Sequence, residues 1–149
     1  MVSTYNLLCP VVFGVGALEK LGDKVQEFNG KKVFCIYDQG VKMAGIAKKV
    51  TSVLEKNNIE FAVFEDVKPD PTDTIIDAIA QEARDCGADV VVGIGGGSSL
   101  DAAKSVAGLL NNPSQINEYY MEDGKGFTNP TAPIILIPTA AGTGSEVTV

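Results

Sequence analysis

At 149 residues the chain has the length of one ordinary domain and can bury a substantial core. Apolar residues make up 45% and charged residues 21%, which excludes a disordered chain, and a net charge of −7 with no basic stripe argues against a nucleic-acid partner. There is no histidine, so Ser-His-Asp and Cys-His catalysis are excluded within this chain, as is the commonest zinc and iron ligand.

The opening, MVSTYNLLCP, lacks a basic n-region and a long apolar h-region, so no secretory leader is expected. A short strand is predicted at 10–13, then a helix near 17–28 with Leu18, Leu21, Val25 and Phe28 on one apolar stripe and Gly30 at its stop. "KVFCIY" (32–37) is a continuous apolar run, as a strand covered on both faces should be. A helix over about 41–56 follows, with Ile46, Ala47, Val50, Val53 and Leu54 inward, and then a strand at 59–64. "VKPDPTD" (67–73) is a rigid turn whose prolines delay the next helix until Thr72 or Asp73. That helix, about 72–86, carries Ile75, Ile76, Ile79, Ala80 and Ala83 at helical period. A strand at 89–94 runs into a glycine loop and a helix over 98–110. Residues 111–132 are turn-rich, with one short helix expected around Tyr119, and "PIILIP" (133–138) is the last buried strand.

Cys9, Cys35 and Cys86 are odd in number and lack CxxC spacing; they read as small core hydrophobes in a reducing compartment. No apolar run is long enough to span a bilayer, and a cytoplasmic location is expected. Strand–helix alternation with apolar strands predicts an α/β fold with a parallel sheet. Ligands bind such sheets beyond the carboxyl ends of the strands. Three unusual segments lie at such ends: 38–40, 93–97 and 139–145.

In "VVVGIGGGSSLDAAKSVAGLL" (90–110), four glycines fall within five residues between a strand pattern and a helix pattern. Glycine admits positive φ and lets a ligand approach main-chain N–H groups. The first turn of a helix adds orphan donors and a partial positive charge. Gly95, Gly96, Gly97 and the N–H of Ser98 or Ser99 therefore form a candidate phosphate site. A tight turn alone would need only one glycine. The Walker pattern is absent, and so is GxGxxG, since Ser98 stands at its last position. Ser98-Ser99-Leu100-Asp101 has the form S-x-x-D, which predicts Ser98 as helix cap and Asp101 in the first turn. Lys104 can pair with Asp101 at i+3.

"GGGSSLDAAK" (95–104) completes the pattern GGGSxxDxAK and resembles the cofactor-binding motif of the iron-containing (group III) alcohol dehydrogenases. "FGVGALEKLG" (13–22), "YDQG" (37–40), "KPDPT" (68–72) and "PTAAGTGSEVT" (138–148) resemble further segments of that family, in order and over nearly the whole chain. Dehydroquinate synthase, on a similar fold, looks like GGGVxxDxxG here, and glycerol dehydrogenase tends to place lysine at the position of Ser98; Ser98 and Lys104 favour the alcohol dehydrogenase branch.

The resemblance implies a Rossmann-like doubly wound parallel sheet, the dehydroquinate synthase-like N-terminal domain, filling residues 1–149. It implies an NAD(P)-dependent hydride transfer that interconverts a small alcohol and its aldehyde or ketone. Gly95, Gly96, Gly97 and Ser98 would hold the pyrophosphate, Asp101 would face the cleft, and Thr139, Thr143 and Ser145 would approach the nicotinamide side. Asp38 ends a strand where the adenine ribose should lie; a carboxylate there accepts from the ribose hydroxyls of NAD and repels the 2′-phosphate of NADP. Two unit charges about 4 Å apart cost on the order of 4 kcal/mol at an effective dielectric near 20, so NAD is expected over NADP.

Two positions depart from the family pattern. Ala140 replaces a threonine, and Asp70 stands where many members have asparagine, so Asp70 is expected to point away or act through its backbone. The family's Fe²⁺ or other divalent ion is held by one aspartate and three histidines of a helical second domain, which this chain does not contain, and no catalytic or metal residue is assigned within it. The chain ends on "GSEVTV", with no stop signal; it is expected to be the cofactor part of a longer, self-associating enzyme and inactive alone. A stand-alone nucleotide-binding or assembly module and a dehydroquinate synthase-like lyase are the alternative readings.

Overall fold

The computed structural model describes residues 9–120 and 124–148; the first eight residues, which make up most of the stretch read above for a leader, lie outside it. Its elements run α1 (Leu21–Glu27), β1 (Lys32–Tyr37), α2 (Gln39–Met43), α3 (Ile46–Lys56), β2 (Glu60–Phe64), α4 (Asp73–Asp85), β3 (Val90–Gly95), α5 (Gly97–Asn111), α6 (Asn117–Tyr120) and β4 (Ile134–Pro138), with a 3₁₀ turn at Ala17–Lys20 ahead of α1. The four strands form one parallel sheet in the order β2-β1-β3-β4. Helices cover both faces, so the fold is α/β and doubly wound.

Side-chain alternation along β1 divides the core in two. Val33, Cys35 and Tyr37 face Val25 of α1 and Val50, Val53 and Leu54 of α3, whereas Phe34 and Ile36 face Ile76, Ile79 and Ala80 of α4 and Ala102, Ala103 and Val106 of α5. The chain passes from β1 outward to β2 and then back across to β3, so the strand order reverses between β1 and β3. Tyr37 pairs with Ile94 there, which sets Asp38 beside Gly95 and Gly96 at the carboxyl edge of the sheet. Among the described residues, no helix is long and apolar enough to cross a membrane.

Several local expectations are corrected. Residues 10–13 form no strand, and Phe13 is 98% exposed. The first helix is shorter than 17–28; Leu21 and Val25 are buried, but Phe28 lies past its end and is 45% exposed. The helix expected over 41–56 is two helices, broken at Gly45, which takes φ 71°, so the chain turns instead of running straight. Strands β2 and β4 are half-buried because they lie at the two edges of the described sheet. Gly93 belongs to β3 itself rather than to the loop that follows.

Cys35 is fully buried in β1, while Cys9 and Cys86 are half-buried. Burial pushes the Cys35 thiol up from an ordinary 9.0 to about 12. Because the folded state holds this proton more tightly, its contribution to stability is complete below pH 9 and is lost as pH rises toward 12. Iodoacetamide at pH 8 should leave Cys35 unmodified in the native protein and label it only after denaturant is added. Peptide mass mapping reads the result; native-state labelling at Cys35 would contradict the packing of β1.

Candidate functional site

The first half of the site grows from the ends of β1 and β3. Asp38 follows β1 and caps α2: its Oδ1 accepts the Val41 N–H at 2.9 Å. Its Oδ2 accepts from the Ser99 hydroxyl at 3.3 Å. Ser99 lies in the first turn of α5 and is 1% exposed. Gly95 makes this meeting possible. It holds φ 145°, and a Cβ there would sit 2.9 Å from Ser99 Oγ and 3.4 Å from Asp38 Oδ2.

Gly96 differs from its neighbour. It takes φ −87°, which any residue adopts, and a Cβ built on it would meet nothing within 4 Å. Packing does not require glycine at this position; the space over it is open. It precedes the first turn of α5, whose amides at Gly97, Ser98 and Ser99 have no partner within the helix. Gly96 and these residues, with Asp38, Val67, Lys68 and Pro69, line a cleft of about 190 Å³. Asp70, at φ 47°, reaches this wall through its backbone, its N–H donating to Ser98 Oγ at 3.4 Å. The exposed Lys68 ammonium pairs with Asp66 at 2.5 Å. The cleft thus has bare backbone and helix-end donors on one side and a carboxylate on the other, a pattern suited to a phosphate joined to a diol.

The second half lies on the β4 side. Thr139 follows β4, is exposed, and donates its N–H to Gly95 O at 2.9 Å. Ser145 is 7% exposed, and its hydroxyl donates to Asp101 Oδ2 at 3.2 Å. Lys104 Nζ bonds Asp101 Oδ1 at 3.4 Å and Thr148 Oγ1 at 2.6 Å. Gly97 is the hinge between the halves: a Cβ there would lie 3.3 Å from Thr143 Cγ2 and 3.4 Å from Ser145 Oγ. The loop from Thr139 to Thr148 is therefore seated on the start of α5.

The capping expectation fails. Gly96, not Ser98, occupies the N-cap position, and α5 has no side-chain cap; the Ser98 hydroxyl is turned to Asp70 instead. Asp101 lies beyond the first turn and serves as the acceptor that holds Ser145. The expected Asp101–Lys104 pair is present. Asp38, Gly96, Gly97 and Ser98 line the cleft, with Gly95 packed against Asp38 and Ser99 at the end of β3, while Asp101, Thr143 and Ser145 gather beside it, joined through Gly97. The residues that sequence reading passed over are the Ser99 side chain and the wall of Val67, Lys68 and Pro69. Ser99 shares a helical face with Ala102, Ala103 and Val106, so its period already placed it inward. Among the described residues, no group of three or more His, Cys, Asp or Glu could hold a metal ion.

The comparisons with known proteins agree with this architecture. Sulfoacetaldehyde reductase of Bilophila wadsworthia (strain 3_1_6) is 37% identical over 139 residues, covering 93% of this chain and 35% of that protein. Lactaldehyde reductase of Escherichia coli (strain K12) is 33% identical, covering 92% of this chain and 36% of that protein. The crystal structure of sulfoacetaldehyde reductase from Bifidobacterium kashiwanohense in complex with NAD⁺ superposes with a TM-score of 0.85 at 30% identity, covering 99% of this chain and 39% of that one. The chain thus spans little more than a third of the length of these relatives. The sequence model of iron-containing alcohol dehydrogenases matches residues 10–149, nearly the whole chain. With this match, the doubly wound sheet and the open glycine cradle at its switch point, the chain belongs to the iron-containing alcohol dehydrogenase family.

Proposed function

We propose that these 149 residues are the NAD-binding domain of a metal-dependent alcohol dehydrogenase that interconverts a small alcohol and its aldehyde. The observation that carries this reading is the vacant space over Gly96, at a helix start, facing Asp38 across the switch point of the sheet. The chain's own residues divide the work. Gly95, Gly96, Gly97 and Ser98 bind the pyrophosphate with backbone donors, and Asp38 orients the adenine ribose through its two hydroxyls. Thr143 and Ser145, seated on the start of α5 with Ser145 bonded to Asp101, and Thr139, bonded to Gly95, flank the nicotinamide end. NAD, when bound, supplies the hydride acceptor, and its reduced form the donor.

The residues present do not fit a divalent ion: three carboxylate or imidazole ligands are nowhere gathered in the described chain. We place the Fe²⁺ or other divalent ion on the part of the longer enzyme that lies outside these residues. We further read the complete enzyme as cytoplasmic and self-associating.

The test is a fluorescence titration of the 149-residue chain with NADH and, in parallel, NADPH. Saturable NADH binding is expected, with NADPH at least about tenfold weaker because its 2′-phosphate meets the Asp38 carboxylate. Equal affinity for both would remove Asp38 from the ribose site. Binding of neither would overturn the reading of the cleft.

A further inference from the structure

We propose that Ser99 is a positioning residue that sets the choice between NAD and NADP by holding the Asp38 carboxylate in one orientation. The inference rests on the cofactor reading of the cleft. Asp38 is gripped from two elements: the start of α2 holds Oδ1 through the Val41 N–H, and α5 holds Oδ2 through the Ser99 hydroxyl. With one oxygen bonded to each element, rotation of the carboxylate plane is restrained. Each oxygen can accept more than one hydrogen bond, so the pair still offers acceptors to a vicinal diol. A carboxylate restrained in this way resists swinging aside to admit a 2′-phosphate. Ser99 is buried, lines the cleft floor and follows directly on the phosphate-facing Gly96–Ser98 segment. The absence of a Cβ at Gly95 keeps the path between hydroxyl and carboxylate open. One hydroxyl thus couples the phosphate loop to the ribose carboxylate across 61 residues of sequence.

The decisive variant is Ser99→Ala, which removes one oxygen from a buried site and adds no bulk. Released from α5, the Asp38 carboxylate should pivot on its remaining bond to Val41. NADH should then bind more weakly and NADPH no more weakly than before, so that the ratio of the two dissociation constants falls by about tenfold. A purely structural role for Ser99 would weaken both cofactors alike and leave the ratio unchanged, and that result would overturn the proposal. A second measurement needs no cofactor. Unfolding constants of wild type, Ser99→Ala, Asp38→Ala and the double variant form a cycle in which loss of the α2 cap cancels. A coupling of at least about threefold is expected; additivity would show that the hydroxyl and carboxylate do not interact and would overturn the proposal whether or not NADH binds. Coupling in the cycle together with a wild type that binds neither dinucleotide would locate the failure in the parent reading, and this inference would fall with it.

Discussion

Gly96→Asp should lower NADH affinity by more than about tenfold while leaving the fold as stable as before. Gly96 sits at the N-cap of α5 with ordinary φ and open space where a Cβ would stand, so aspartate meets no steric obstacle. Aspartate is also a better N-cap than glycine, by a few tenths of a kcal/mol, because its carboxylate accepts from first-turn amides. Those amides are the donors assigned to the pyrophosphate. The substituted side chain would occupy them and add a negative charge against a doubly charged ligand. Two unit charges about 4 Å apart cost on the order of 4 kcal/mol at an effective dielectric near 20, and half of that is already more than tenfold. Thermal unfolding and NADH titration of the same preparation read both halves of the prediction. Retained NADH affinity would place the dinucleotide elsewhere on the molecule.

Gly93→Ala, three residues earlier, should do the reverse and damage the fold. Gly93 is fully buried in β3, where an added Cβ would lie 2.6 Å from Ala103 Cβ and 2.9 Å from Leu136 Cδ2. The leucine tip can yield, but Ala103 Cβ is fixed to the backbone of α5, so the helix itself must lift from the sheet. Overpacking of this kind costs about 1–3 kcal/mol. In a chain of this length that corresponds to a fall of several degrees, up to about 10 °C, in the unfolding midpoint. Urea denaturation should give a lower midpoint with an unchanged slope. An undisturbed midpoint would mean that β3 and α5 are less closely packed than their separation indicates.

These two glycines belong to one glycine-rich run, residues 93–97, and look alike in the sequence, which marks where local reading ends. Much of the architecture is periodic and therefore local. The continuous apolar runs of β1 and β3, the helical spacing of Ile76, Ile79, Ala80 and Ala83, and the proline-delimited turn before α4 are properties of neighbouring residues. So is the concentration of glycine before a helix, which marks a candidate backbone anion site. Strand order is not local. Only the crossover from β2 back past β1 sets Asp38 beside Gly95 and brings the Ser99 hydroxyl within 3.3 Å of its carboxylate.

The local errors have equally physical causes. The α2–α3 break at Gly45 was hidden because the apolar period continues across it while the backbone there adopts positive φ. A capping pattern in sequence does not say where the helix begins: α5 takes Gly96 as its N-cap, two residues before Ser98, whose hydroxyl is turned toward Asp70. By itself the sequence determined the α/β class and the positions of the main elements, because each is carried by spacing along the chain. The tertiary structure alone decided which glycine is packed and which is open, which carboxylate is held and by what, and how the 139–148 loop is seated on α5, because each depends on how close elements distant in sequence come in space.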